Sequence, residues 1–206
     1  MATPRRMGSE TSETRFVLLD VTERVMLEDG YAAVSSRRIA KEAGVTPALV
    51  HYYFGTLDDL FIEVLRRRGE QQLERQERQL SSPQPLRALW KTSTDESGTA
   101  LLMEFMALAT HRKVIRAELA AYAEQFRKAQ LDSLRDHLEE VGIDTNAFPP
   151  EALVVALAAL ASTIIMEEAL GMETGLRETR DLVERFLTQY EGPPERAKRA
   201  RKPSTS

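Results

Sequence analysis

The side chains whose types and spacing point to chemistry gather in one stretch, Ser35 to Phe54 (SSRRIAKEAGVTPALVHYYF). His51, Tyr52 and Tyr53 follow one another near its end. From Pro47 to Phe54 the chain has room for about two helical turns, too few to bury three large rings. Polar-tipped aromatics on a short exposed helix form a surface that can meet phosphates, base edges and thymine methyls in a major groove. Candidate contacts are Ser35, Ser36 and Arg37, then Thr46, Pro47, Ala48, Leu49, His51, Tyr52 and Tyr53. Val50 and Phe54, four residues apart on one helix face, belong to a core. The competing reading places all the aromatics in the core of a small three-helix domain.

Catalysis finds no comparable cluster. The three histidines, His51, His111 and His137, are far apart and lack a metal-ligand spacing such as HExxH. There is no phosphate-binding glycine loop. Carboxylates are many but fall at helix-surface positions, as at Glu139-Glu140 and Glu167-Glu168. We expect no enzyme, no cofactor and no metal site. With no cysteine, disulfides and thiolate ligands are excluded, which fits a reducing compartment. Arg5 and Arg6 are not followed by an apolar signal-peptide core, so a cytoplasmic location is expected.

Two short helices must position the candidate contacts. Ser35 is a good N-cap for the first, and Val34 with Ile39 has the spacing of a hydrophobic staple. Gly44 follows its last residue, where a left-handed conformation is needed. Thr46 is the next N-cap and Pro47 sits at the first helical position, where its missing N–H is no loss. This is a helix-turn-helix. An earlier helix over 13–29 supplies an apolar face of Leu18, Val21, Val25 and the pair Leu19–Met26, and Gly30 ends it. Thr56 and Asp59 form a capping-box-like start to a fourth helix.

Residues 14–61 resemble the N-terminal domain of the TetR family of bacterial transcriptional regulators. The matching residues are Thr14, Arg15, Leu18, Leu19, Asp20, Gly30-Tyr31, Arg37, Ile39-Ala40, Ala43-Gly44-Val45-Thr46, Phe54 and Leu60. The resemblance implies a homodimer on double-stranded DNA, reading a palindromic operator through recognition helices held about 34 Å apart. It also implies a regulatory domain whose small effector shifts the population away from DNA. In the family, N-terminal arms sometimes reach the minor groove, as Arg5 and Arg6 would here; a free solvated tail is the simpler reading. One departure is Leu57, where the family commonly carries a phosphate-binding lysine. Together with the apolar Ala48 and Leu49, it supports the alternative, a helical protein-interaction module that has lost DNA binding.

The net charge of −4 argues at first against nucleic acid. Between residues 35 and 54, however, Arg37, Arg38 and Lys41 face one anion, Glu42, for a local charge of +2. Local charge sets the field at a docking surface, and binding should fall steeply with salt.

Glycine and proline fall at apparent boundaries and no strand-like alternation persists. The expected fold is all-α, with about nine helices. An arm (1–12) leads into the DNA-binding domain (13–56, motif about 36–55). A connecting helix (57–80), a regulatory ligand-binding and dimerisation domain (81–191) and a basic disordered tail (192–206) follow. The run Arg66-Arg67-Arg68 reads as a solvated face. Later helices are expected near 86–94, 98–111, 113–141, 150–170 and 175–190, with a break at 95–98.

The stretch 152–166 (ALVVALAALASTIIM) carries no charge, is shorter than the roughly 20 residues of a membrane span and should be buried on nearly every side. No membrane association is expected. With the stripe of the last helix, it should build a four-helix bundle between two copies through Leu157, Leu160, Ile164, Leu182, Phe186 and Tyr190. On the helices that surround the ligand pocket in the family, the candidates are Trp90, Met103, Phe105, Met106, His111, Tyr122 and Phe126. Ordinary core positions are the alternative for each. No basic cluster points to a phosphate, so a small, neutral or weakly polar hydrophobic effector is expected.

Overall fold

The computed structural model describes residues 13–194; the expectations for the arm at 1–12, with Arg5 and Arg6, and for the basic residues from Arg196 onward lie outside them. The described chain is all-α. Its helices are α1 (Glu13–Asp29), α2 (Ser36–Glu42), α3 (Pro47–Phe54), α4 (Leu57–Leu80), α5 (Pro85–Ser93), α6 (Glu96–His111), α7 (Lys113–Glu140), α8 (Pro150–Ala169) and α9 (Leu176–Glu191), with one 3-10 turn at Tyr31–Ala33. Most ends fall within a residue or two of expectation. The break expected at 95–98 is shorter, because Asp95 already stands at the N-cap of α6 and Gly98 lies in its first turn.

α1 buries the expected Leu18, Leu19, Val21, Val25 and Met26. Gly30 ends it at a φ of 80°, a region that glycine alone enters cheaply. The next backbone amide, of Tyr31, donates to Glu104 Oε2 on α6 at 2.7 Å. α4 starts with a full capping box: Asp59 N donates to Thr56 Oγ1 at 3.1 Å, and Thr56 N to Asp59 Oδ2 at 3.0 Å. It then runs unbroken for 24 residues and packs along α7.

Two apolar cores result. The first joins α1 to α4 with α6 and the start of α7: Leu18, Ile39, Val50, Phe54 and Phe61 meet Leu101, Phe105, Leu108 and Ile115. The second joins α5, the end of α7, α8 and α9 through Leu86, Leu89, Leu134, Leu138, Val154 and Val183. Glu191 staples this second core. Its side chain is fully buried, accepts from the backbone amides of Leu86 and Arg87 at 2.7 and 2.9 Å, and lies 2.9 Å from His137 Nε2. A carboxylate there satisfies orphan donors at the N-terminus of α5.

Three expectations need correction. The arginine run is not a solvated face. Arg67 pairs with Asp20 at 2.7 Å, Arg68 with Glu23 at 3.1 Å and Arg66 with Glu118 at 2.6 Å, so the run stitches α4 to α1 and α7. α8 has 20 residues and is long and apolar enough to cross a membrane by length and composition, yet only 22% of its apolar window is buried within the chain. It is thus not enclosed on nearly every side.

Finally, Leu157 and Ile164 are 5% and 1% exposed, spent on the chain's own core, and have almost no surface left for a second copy. The exposed large apolar side chains of this region are Phe148 before α8, Val155, Met166, Leu170, Met172 after it and, on α9, Leu182. Leu160, Phe186 and Tyr190 are half-buried beside them.

Candidate nucleic-acid interface

The turn between α2 and α3 is built as local chemistry dictates. Ser35 Oγ accepts from the Arg38 amide at 3.2 Å. At the other end Val45 N donates to Ala40 O at 2.9 Å and Gly44 N to Lys41 O at 3.3 Å, the paired bonds of a Schellman cap, with Gly44 at a φ of 69°. Thr46 has the extended backbone of an N-cap, but its hydroxyl makes no cap bond and stays exposed. Val50 and Phe54, 2% and 4% exposed, anchor α3 to the core. The guanidinium of Arg15 lies 5.3 Å from the centre of the Phe54 ring and donates to Glu63 at 2.6 Å, closing the back of the helix.

With that face fixed, the opposite face is free. Pro47, Ala48, His51 and Tyr52 are exposed, Tyr52 by 47%, while Leu49 and Tyr53 are half-buried. The Tyr52 and Tyr53 rings meet edge to face at 5.2 Å, which stiffens the outer tyrosine. His51 Nδ1 lies 3.1 Å from the Gly55 carbonyl, leaving Nε2 as the unengaged ring nitrogen. Ser35 and Arg37 are exposed and Ser36 half-buried at the start of α2.

The charges divide into two groups. Arg38 bonds Glu42 at 2.9 Å and also Asp29, and Arg24 reaches Glu42 at 2.8 Å. The hydrogen bond from Arg38 holds the Glu42 carboxyl below the usual carboxylate range, and Glu42 with Asp29 raises the Arg38 guanidinium. This network ties α2 to α1. Arg37 and Lys41 are different: both are exposed, and neither has an ion pair or side-chain hydrogen bond among the described residues. Lys41 was absent from the expected contacts, although its place in the local charge count already marked it. Leu57 is half-buried against the first core, and its side chain offers nothing to a phosphate.

The chain's likeness to known proteins follows the same geometry. The family described as bacterial regulatory proteins, tetR family, matches residues 18–64, which run from the buried part of α1 into α4. The HTH-type transcriptional regulator AcrR of Shigella flexneri is 30% identical over 204 residues, 90% of this chain and 93% of that protein. The chain belongs to the TetR family. The HTH-type transcriptional regulator BetI of Rhizobium meliloti is 44% identical over 52 residues, but these are 25% of this chain and only 26% of that protein. Among solved structures, a transcriptional regulator from Saccharomonospora viridis in complex with choline has a TM-score of 0.73 at 20% identity, over 85% of this chain and 95% of that one. A TetR-family regulator from Rhodococcus sp. has a TM-score of 0.70 at 16% identity, over 87% and 100%. The protein is therefore a DNA-binding transcriptional regulator with a helix-turn-helix head.

A cavity of about 260 Å³ lies behind the head, between α4, α5, α6, α7 and α8. Of the residues expected to line it, Phe105, Tyr122 and Phe126 do. Trp90 does not, because it packs against the second core. The cavity face of α6 runs through Gly98, Leu101, Leu102 and Phe105. Met103 falls off that face by the helical period, Met106 shares the Leu102 row but lies a turn beyond the lining and is 57% exposed, and His111 is exposed at the helix end. Tyr122 packs closely against Gly69, where an added Cβ would stand 2.6 Å from its ring. Burial pushes the Tyr122 phenol up to about 12, despite the nearby charge of Arg68, so it is a neutral hydroxyl donor. The expectation that no basic cluster points to a phosphate did not anticipate the three guanidinium groups on the lining, Arg68, Arg75 and Arg127.

Proposed function

We propose that the protein is a homodimeric repressor that acts in the cytoplasm on a palindromic operator and is released by a small organic effector. The observation that carries the reading is the division of α3. Val50 and Phe54 lock one face into the core, while Pro47, His51 and Tyr52 face outward beside the unpaired Arg37 and Lys41. Such a helix can enter a major groove with its cations on phosphates. The dimer forms through the outer face of α8 and α9, at Val155, Met166, Leu170 and Leu182, which also accounts for so apolar a helix in a DNA-binding protein.

The link between cavity and head supports effector release. Phe105 lines the cavity and belongs to the core of the head. Glu104 beside it holds the Tyr31 amide, and Arg112 at the end of α6 bonds Asp58 at the start of α4. A ligand pressing on α6 biases the spacing of two heads. The test is binding to the DNA beside the protein's own gene, measured against salt and with added ligands. Salt-dependent binding to one palindromic site by a dimer, with a 1:1 ratio of chain to half-site, is expected. A monomer, or binding indifferent to sequence, would sink the reading.

A further inference from the structure

The cavity is charged in a way its apolar walls conceal. Of the three guanidinium groups on it, Arg68 is engaged by Glu23 at 3.1 Å and Arg75 lies 3.7 Å from Asp95, the one acid on the lining among the described residues. Arg127 has no counterpart among the described residues. Arg75 and Arg127 are exposed as well as lining, which places them at the mouth. Deeper in, Gln130 is 5% exposed, lines the cavity and has no side-chain hydrogen bond among the described residues. Its amide is therefore open to a polar group that enters the cavity. Phe105 and the tilted pair of Tyr122 and Phe126, 5.9 Å between ring centres, give an aromatic wall.

We propose that the cavity binds a small carboxylic acid with an aromatic body, its carboxylate on Arg127 and Gln130 and its ring against Tyr122 and Phe126; this rests on the reading of the cavity as the effector site. The volume of about 260 Å³ lies just below the usual range for drug-sized ligands, which suits a small one. The aromatic wall alone would also suit a quaternary ammonium. The unpaired guanidinium decides against it, because a cation entering there meets a like charge while an anion gains a charge-assisted hydrogen bond.

The test uses the full-length protein with phenylacetate, its neutral analogue phenethyl alcohol, its cationic analogue phenethylamine, and choline. Calorimetry reads affinity, and gel shift on the operator reads release. Phenylacetate should bind about tenfold more tightly than the alcohol, the worth of one charged hydrogen bond, and both cations more weakly still. Arg127→Gln should bring the acid down to the level of the alcohol while the unliganded Tm and operator binding stay unchanged. An amine or choline binding as tightly as the acid overturns the proposal, as does binding of none of the four or an acid preference that survives Arg127→Gln. If the acid binds without altering operator affinity, the ligand class stands and the effector reading fails. If only the alcohol binds and releases DNA, release stands and the class fails.

Discussion

The reading face and the cavity are made by opposite means. The reading face is local: the cap at Ser35, the left-handed Gly44, Pro47 and the two anchors Val50 and Phe54 lie within twenty residues. The cavity is assembled from five helices spread between Leu65 and Ser162, and each contributes residues that look ordinary in their own helix. A local device can be altered on its outer face without disturbing its support. A distributed one shares walls with whatever lies behind them, and here that is the core of the head.

Phe105 is the point where the two regions cannot be separated, so its loss should have the largest effect. It is 1% exposed, belongs to the first core and lines the cavity. Phe105→Ala should cost about 3–5 kcal/mol of stability and weaken both ligand and operator binding. A variant that loses ligand binding but keeps its denaturation midpoint would show that cavity and head are independent.

Gly69→Ala asks whether the cavity can be altered alone. An added methyl would meet the Tyr122 ring at 2.6 Å and push it toward the ligand space. The strain, about 1–3 kcal/mol for overpacking, is partly offset by the gain of about 1 kcal/mol from replacing glycine inside a helix. Stability should therefore change little, while ligand affinity falls by about tenfold or more and ligand-free operator binding persists. Loss of operator binding in this variant would place α4 itself under the control of the Tyr122 contact.

The same contrast decides what the sequence made legible. Helix ends, caps and the reading face follow from near neighbours, so Ser35, Gly44, Pro47 and Phe54 were readable in place. The capping box at Thr56 was readable for the same reason. Which face of α8 turns inward was not, because a helix apolar on all sides has no period to choose by; hence Leu157 and Ile164 were expected on the outer face although they are buried, while Val155, Met166 and Leu170 are the exposed ones. Arg127 and Arg75 look like solvent residues of α7 and α4 until the two helices are set side by side. The run Arg66-Arg67-Arg68 shows the same blindness, since its partners lie in α1 and in α7, from Asp20 to Glu118.

On the reading face, single substitutions should act on DNA alone. Tyr52 is 47% exposed and supports no core. Tyr52→Ala should weaken the operator complex by about 1–2 kcal/mol, as truncation of an interface aromatic commonly does, with the Tm unchanged. A fall in Tm comparable to that of Phe105→Ala would return the tyrosine to the core and remove the contrast.

The smallest effect is the most diagnostic. Arg37 and Lys41 lie four apart on α2, exposed and without ion pairs, while Arg38 between them is held by Glu42 and Asp29. If the free pair meets phosphates, Arg37→Ala should weaken operator and random DNA alike, and the slope of log affinity against log salt should shrink by about 1.8 for the dimer, about 0.9 for the contact in each half-site. Lys41→Ala should do the same, and the double variant should lose about twice as much slope. Arg38→Ala should instead lower stability slightly, by loosening α2 from α1, and leave the salt slope nearly unchanged. A slope that responds to Arg38 but not to Arg37 or Lys41 would mean that the network opens on DNA, and the division between structural and DNA-facing cations would have to be drawn the other way round.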